Sequence, residues 1–71
     1  MSQCEKILKY LRTHKRGITA LIAMEKFGIM RLASRIHDLR EMGYKIMTST
    51  VEVKNRYGDI CRVACYKLVE E

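Results

Sequence analysis

The sequence contains no proline, a single phenylalanine and four glycines among its 71 residues. With proline missing, segment boundaries have to be read from glycine and from helix-capping residues. No Pro-, Gly- or Ser-rich linker, low-complexity tract or internal repeat is present, so residues 1–71 are expected to form one domain. Apolar runs are short as well: none approaches the roughly 20 residues needed to cross a bilayer. No signal-peptide pattern opens the chain, and the cytoplasm is the expected compartment, with no membrane partner.

Catalytic signatures are equally scarce. Histidine occurs only at His14 and His37, and the one acidic cluster is Glu70 with Glu71 at the end of the chain. There is no Ser-His-Asp order, Walker loop or dinucleotide fingerprint, and a domain this small has little room for a concave pocket. Catalysis and cofactors are therefore not expected. Cys4, Cys61 and Cys65 are odd in number and contain no Cys-x-x-Cys spacing. On one strand, Cys61 and Cys65 would lie roughly 13 Å apart. A disulfide needs Cα atoms within about 7 Å. Nor does their spacing to His14 or His37 supply a recognisable zinc-ligand pair. Buried free thiols in a reducing compartment are the expectation.

What the chain does have is apolar residues, at 48%, and charge, at 31%. That balance belongs to a globular domain, near the lower size limit for a fold without staples. Fourteen basic residues against eight acidic ones leave a net charge of +6, which favours a polyanionic partner. The excess is concentrated: residues 1–43 hold nine basic and four acidic side chains, and residues 44–71 hold five and four.

Cys4, Ile7, Leu8 and Leu11 recur at helical spacing and predict an amphipathic helix over about 2–14. Ser2 with Glu5 makes its capping box, and Gly17 follows as the turn. Thr19 caps a shorter helix over about 20–27, whose inward stripe is expected to be Ala20, Ala23, Met24 and Phe27. Leu21 then lies at the flank, and Ile22 falls on the outward side with Glu25 and Lys26. In the stretch 31–43, Leu32, Ile36 and Leu39 form an apolar stripe. Arg31, Ser34, Arg35 and Asp38 make the polar face, and Gly43 closes the helix, expected over about 31–42. Two runs rich in β-branched residues, about 44–54 and 60–69, then predict strands. Asn55-Arg56-Tyr57-Gly58-Asp59 between them supplies hairpin-turn residues.

Three helices followed by a basic-tipped hairpin resemble a winged helix-turn-helix domain, an α+β fold with a C-terminal β-hairpin wing. The resemblance runs from about Glu5 to Leu68. It rests on Gly17-Ile18-Thr19 before helix two, Phe27-Gly28-Ile29 at the turn, the run 31–40, and Gly43-Tyr44-Lys45-Ile46. The run RLASRIHDLREMGYKI is similar to small winged helix domains encoded by bacteriophages and other bacterial mobile elements. The resemblance implies helix three in the major groove of double-stranded DNA and the wing on the neighbouring backbone or minor groove. It also implies a small transcriptional regulator or a recombination or architectural accessory factor, in the bacterial cytosol or nucleoid, or in the host cytosol if phage-encoded. Arg31, Ser34 and Arg35 would face the groove, with Asn55, Arg56 and Tyr57 at the wing tip. One departure is the tight spacing from Gly28 to Leu32, which implies that helix three begins later or tilts differently than in many bacterial winged helix repressors.

The chemistry of these side chains suits that role. Arg bonds guanine O6 and N7 bidentately, and each good pair is worth roughly 1–3 kcal/mol of discrimination. Asp38 can accept from cytosine N4, although an ion pair with Arg35 or Arg31 is the stronger expectation. Lys15, Arg16, Thr19, Lys54, Asn55, Arg56 and Tyr57 are candidates for backbone contacts, which position a protein without reading sequence. His37 can donate to a phosphate when protonated, against the simpler reading of an exposed histidine. Arg40 is expected to be structural, its stem packed and its head near the helix terminus. The competing reading is a protein-interaction module without DNA binding, with Leu21, Ile22 and the apolar faces of the strands as its resources. Palindromic operators imply dimers, so a homodimer, or a partner protein, through helix one or the Leu21/Ile22 face of helix two is a further expectation. RNA is a weaker alternative, since no RNA-module aromatic motif is present.

Overall fold

A computed structural model describes residues 2–69 of the chain. Helix α1 spans Gln3–Thr13 and opens on the Ser2 capping box. There the Glu5 N–H donates to the Ser2 hydroxyl and the Ser2 N–H to the Glu5 carboxylate, both at 3.2 Å. Strand β1 (Ile18–Thr19) leads directly into α2 (Ala20–Phe27), and α3 follows over Leu32–Glu41. The chain ends in a hairpin of β2 (Ile46–Lys54) and β3 (Ile60–Leu68). The three strands form an antiparallel sheet in the order β1-β3-β2.

Two glycines make the connections. Gly28 caps α2 at φ 67, a left-handed conformation that glycine adopts without cost, while the Ile29 N–H reaches back to the Ala23 carbonyl at 3.1 Å. Gly17 sits at φ 90 with β3 so close that a Cβ would collide with the Tyr66 carbonyl oxygen. That close approach lets Ile18 and Thr19 pair with Tyr66 and Cys65.

One apolar layer lies between the helices and the sheet. Ile7, Ile18, Ile29, Ile36 and Leu39 are its largest fully enclosed side chains, each worth roughly 1.5–3 kcal/mol on burial. Residues alternate along β2 and β3, so Ile46, Tyr66 and Leu68 point toward the helices. Beyond Thr50 and Ala64 the hairpin leaves that layer, and most of its side chains are exposed.

Three expectations are corrected. On α2, Ala23 is buried and Ile22 packs against the core beside Phe27, whereas Ala20 and Met24 are exposed. The expected inward and outward positions of Ile22 and Met24 are thus exchanged. An eight-residue helix that is apolar on most sides has no periodicity strong enough to set its rotation. Buried Ile18 and Ile29 at its two ends set it instead. Leu21 and Ile22 therefore do not share an outward face. Second, β1 is a strand of two residues that pairs only with distant β3. Third, the cysteines are free, but only Cys65 is buried; Cys4 is half-buried and Cys61 exposed. Cys61 lies on the outer hairpin, which no helix covers.

Candidate nucleic-acid interface

Helix α3 exposes one flank because Leu32, Ile36 and Leu39 are drawn into the core. Directly opposite that stripe stand Ser34, His37 and Glu41, all exposed. His37 Nε2 lies 3.4 Å from a Glu41 carboxylate oxygen. The polar ridge is thus centred one side chain away from the Arg31–Ser34–Arg35 surface that the sequence suggests. The direction opposite the mean of Leu32, Ile36 and Leu39 falls between Glu41 and Ser34, with His37 to one side, and that spacing is the signal that identifies this ridge.

Arg31 stands just ahead of α3 as its N-cap, exposed, with no side-chain hydrogen bond capping the helix. The first-turn N–H groups of α3 therefore lack a side-chain acceptor there. Arg35 is held back. Its Nη2 is 3.2 Å from the Asp38 carboxylate, and its side chain is only 37% exposed. The Arg35 Nε is buried without a hydrogen-bond partner. The Arg35 carbonyl faces α1, where the Cys4 Sγ lies 3.9 Å away. The Arg35 guanidinium is thus partly withdrawn from solvent, with the Asp38 carboxylate against it. On the side of α3 away from the core the charge changes sign, from Arg31 and Arg35 at the N-terminal end to Asp38 and Glu41 in the C-terminal half, where the cation Arg40 is turned to Ile46 and Thr48 instead.

Arg40 ties this helix to the hairpin. Its Nε and Nη2 donate to the Ile46 carbonyl at 3.2 and 2.7 Å, and Nη2 also donates to the Thr48 hydroxyl at 2.8 Å. Because the Lys45 carbonyl accepts from the N–H of Val69, the residue after β3, the next carbonyl along, that of Ile46, points off the open edge of the sheet. Arg40 satisfies it and joins α3 to the base of β2. The structural role expected for Arg40 is thus carried by the strand edge rather than by the helix terminus.

At the far end of the hairpin, Asn55 builds the turn. Its Oδ1 accepts from the N–H groups of Tyr57 and Asp59 at 2.9 and 3.0 Å, the side-chain mimicry of a backbone turn. Asn55 Nδ2 lies 3.6 Å from Cys61 Sγ. Its amide is therefore committed to the fold, whereas Lys54 and Arg56 are exposed and Tyr57 is 81% exposed. Thr19 is likewise occupied, its hydroxyl accepting from the Ile22 N–H at 3.4 Å as the α2 cap. Lys15 and Arg16 are exposed in the turn before β1. That turn is fastened to β3, where Cys65 Sγ donates to the Arg16 carbonyl at 3.2 Å. It therefore lies toward the β1 side of the sheet, away from the β2 edge that Arg40 holds.

Among the described residues no three His, Cys, Asp or Glu side chains are grouped to hold a metal ion. No helix among them is long and apolar enough to cross a membrane. Residues 2–71 match the model of a protein family described as winged helix-turn-helix domain. Comparison with curated proteins and with solved structures finds no match.

Proposed function

The chain belongs to the winged helix-turn-helix domain family, and on that premise we propose that it binds double-stranded DNA with α3 in the major groove and the hairpin as a wing on the adjacent backbone. The observation that carries this reading is the sign change along α3. Its N-terminal half presents Arg31, Ser34 and the uncapped first turn, while the acidic Asp38 and Glu41 lie at the other end. A helix that enters the groove by its N-terminus brings cations and open N–H groups to the phosphates and keeps its carboxylates farther out.

Arg31 and Ser34 are then the principal base readers, with His37 beside them on the exposed ridge. Arg35 contributes through the guanidinium donors that Asp38 leaves open. On the wing, Lys54, Arg56 and Tyr57 contact the backbone, and Asn55 shapes the turn that carries them. The resemblance of residues 31–46 to small phage and mobile-element domains supports a regulator, or a recombination or architectural accessory factor.

A second reading, protein docking, draws on the exposure of Leu21 (58%), Met24 (49%) and Met30 (83%). Salt separates the two. Neutralising roughly four phosphates gives a log–log slope near −3.6, hence about a 150-fold loss of affinity for a fourfold rise in salt. Selection on random duplexes followed by fluorescence anisotropy at two salt concentrations measures this. Arg31→Ala should weaken the selected site more than random duplex. Failure of the purified chain to bind any duplex at low salt overturns the DNA reading.

A further inference from the structure

Strand β2 lies at the edge of the sheet, and its register with β3 determines which backbone groups remain unused. The Val69 N–H bonds the Lys45 carbonyl at 2.8 Å, and the Asn55 N–H bonds the Asp59 carbonyl at 2.9 Å. These bonds bracket the ladder, so the odd-numbered residues between them bond β3. Ile46, Thr48, Thr50, Glu52 and Lys54 therefore direct their N–H and C=O groups away from the sheet. Arg40 occupies the first part of this edge, at the Ile46 carbonyl and the Thr48 hydroxyl. The part over 50–54 is open.

Charged side chains on an exposed edge, lysine above all, discourage pairing with an arbitrary chain. The open part of β2 carries one charge of each sign, Glu52 and Lys54, on the same face and flanking Val53, so it repels most strands but not one that presents the opposite charges in register. That arrangement is self-complementary. A two-fold axis through Val53, perpendicular to the sheet, sets Glu52 opposite the second copy's Lys54 and Lys54 opposite the second copy's Glu52. The outward backbone groups of these residues then meet as hydrogen-bonded pairs. Moving the axis to Glu52 or to Lys54 places a like-charged pair directly opposite. Moving it to Val51 places neither charge opposite its counterpart. Charge therefore selects one register.

The other face of the strand agrees. Val53 is 40% exposed and lines a shallow apolar groove with Thr19, Ala20, Leu21 and Val63. At the two-fold axis it would meet the second copy's Val53 and join the two grooves. The same axis keeps both helical layers on one side of the joined sheet, so both α3 helices look the same way.

We propose that this chain forms a two-fold dimer by antiparallel pairing of its β2 edges about Val53. The dimer and the proposed DNA contact both use Lys54, so self-association is measured without DNA and duplex binding separately. The contact is small, so the dimer is weak, and sedimentation equilibrium on the full chain has to extend to about 1 mM. Wild type shows concentration-dependent dimerisation. Glu52→Lys and Lys54→Glu each set like charges opposite twice, and each raises the dissociation constant about tenfold or more. Lys54→Glu also lowers the net charge from its value of +6, so relief of general self-repulsion would strengthen association where the pairing model weakens it. A one-to-one mixture of the two variants restores opposite charges at both contacts and dimerises like wild type.

Circular dichroism and thermal melts establish that both variants are folded. Glu52 and Lys54 are exposed, and the 3.8 Å Glu52–Arg62 ion pair has side chains 60% and 78% exposed. Wild type that stays monomeric to about 1 mM overturns the proposal. So do a dimer insensitive to either reversal and a mixture that fails to associate.

Discussion

Replacing Arg40 by Met tests how α3 and the hairpin are held in register. Met keeps an unbranched apolar stem of similar reach, so the loss is confined to the guanidinium head. That head makes three hydrogen bonds, at 3.2 and 2.7 Å to the Ile46 carbonyl and at 2.8 Å to Thr48. A hydrogen bond to a charged group contributes about 1.5–3 kcal/mol when buried. Here water reaches the acceptors once Arg40 is gone, and two of the bonds share one carbonyl. A net loss of about 1–2 kcal/mol is the expected outcome. For a domain of this size that is a fall in Tm of roughly 4–16 °C. Arg40→Lys supplies one point donor in place of a fork and should recover about half of it. Urea and thermal unfolding followed by circular dichroism give both numbers.

The same variant tests the link to function. If Arg40 aligns the wing with α3, Arg56→Ala should lower the salt slope of DNA binding by about one in wild type and by clearly less in the Arg40→Met background. A stability change below about 0.3 kcal/mol, within the scatter of independent surface sites, would refute the clamp. An Arg56→Ala loss equal in both backgrounds would refute the alignment.

Other substitutions address the fold around the site. Gly17→Ala combines a positive φ with a collision against the Tyr66 carbonyl, and should cost about 2 kcal/mol or more in urea unfolding. Ile22→Glu places a carboxylate against the core and should destabilise by at least about 2 kcal/mol. Met24→Glu, on the exposed side of the same helix, should stay within about 0.5 kcal/mol; equal effects would contradict the rotation of α2. Asn55→Ala removes the acceptor of two N–H groups at the turn. It should cost about 1 kcal/mol and speed amide exchange at Tyr57 and Asp59.

Local signals carried much of this structure. The Ser2/Glu5 box, the Thr19 cap, the glycine at 28 and the stripe Leu32, Ile36 and Leu39 all act within a few residues, and the helices form around them. The change from helical to β-branched patterning after Gly43 likewise placed the hairpin and, through the resemblance, the family. The inward face of α2 was beyond such signals, because eight mostly apolar residues are compatible with several rotations until Ile18 and Ile29 are buried.

The same holds for the interface. That Arg31, Ser34, Arg35 and Asp38 lie near one another on α3 follows from helical spacing alone. That Arg35 Nε is buried, that Asn55 is spent on its own turn, and that Arg40 reaches the open edge of β2 depend on how the segments pack in space. Periodicity along the chain determines which residues share a face. Contacts between residues distant in sequence determine where each face points and which polar groups are already bonded, and only the packed tertiary structure supplies those contacts.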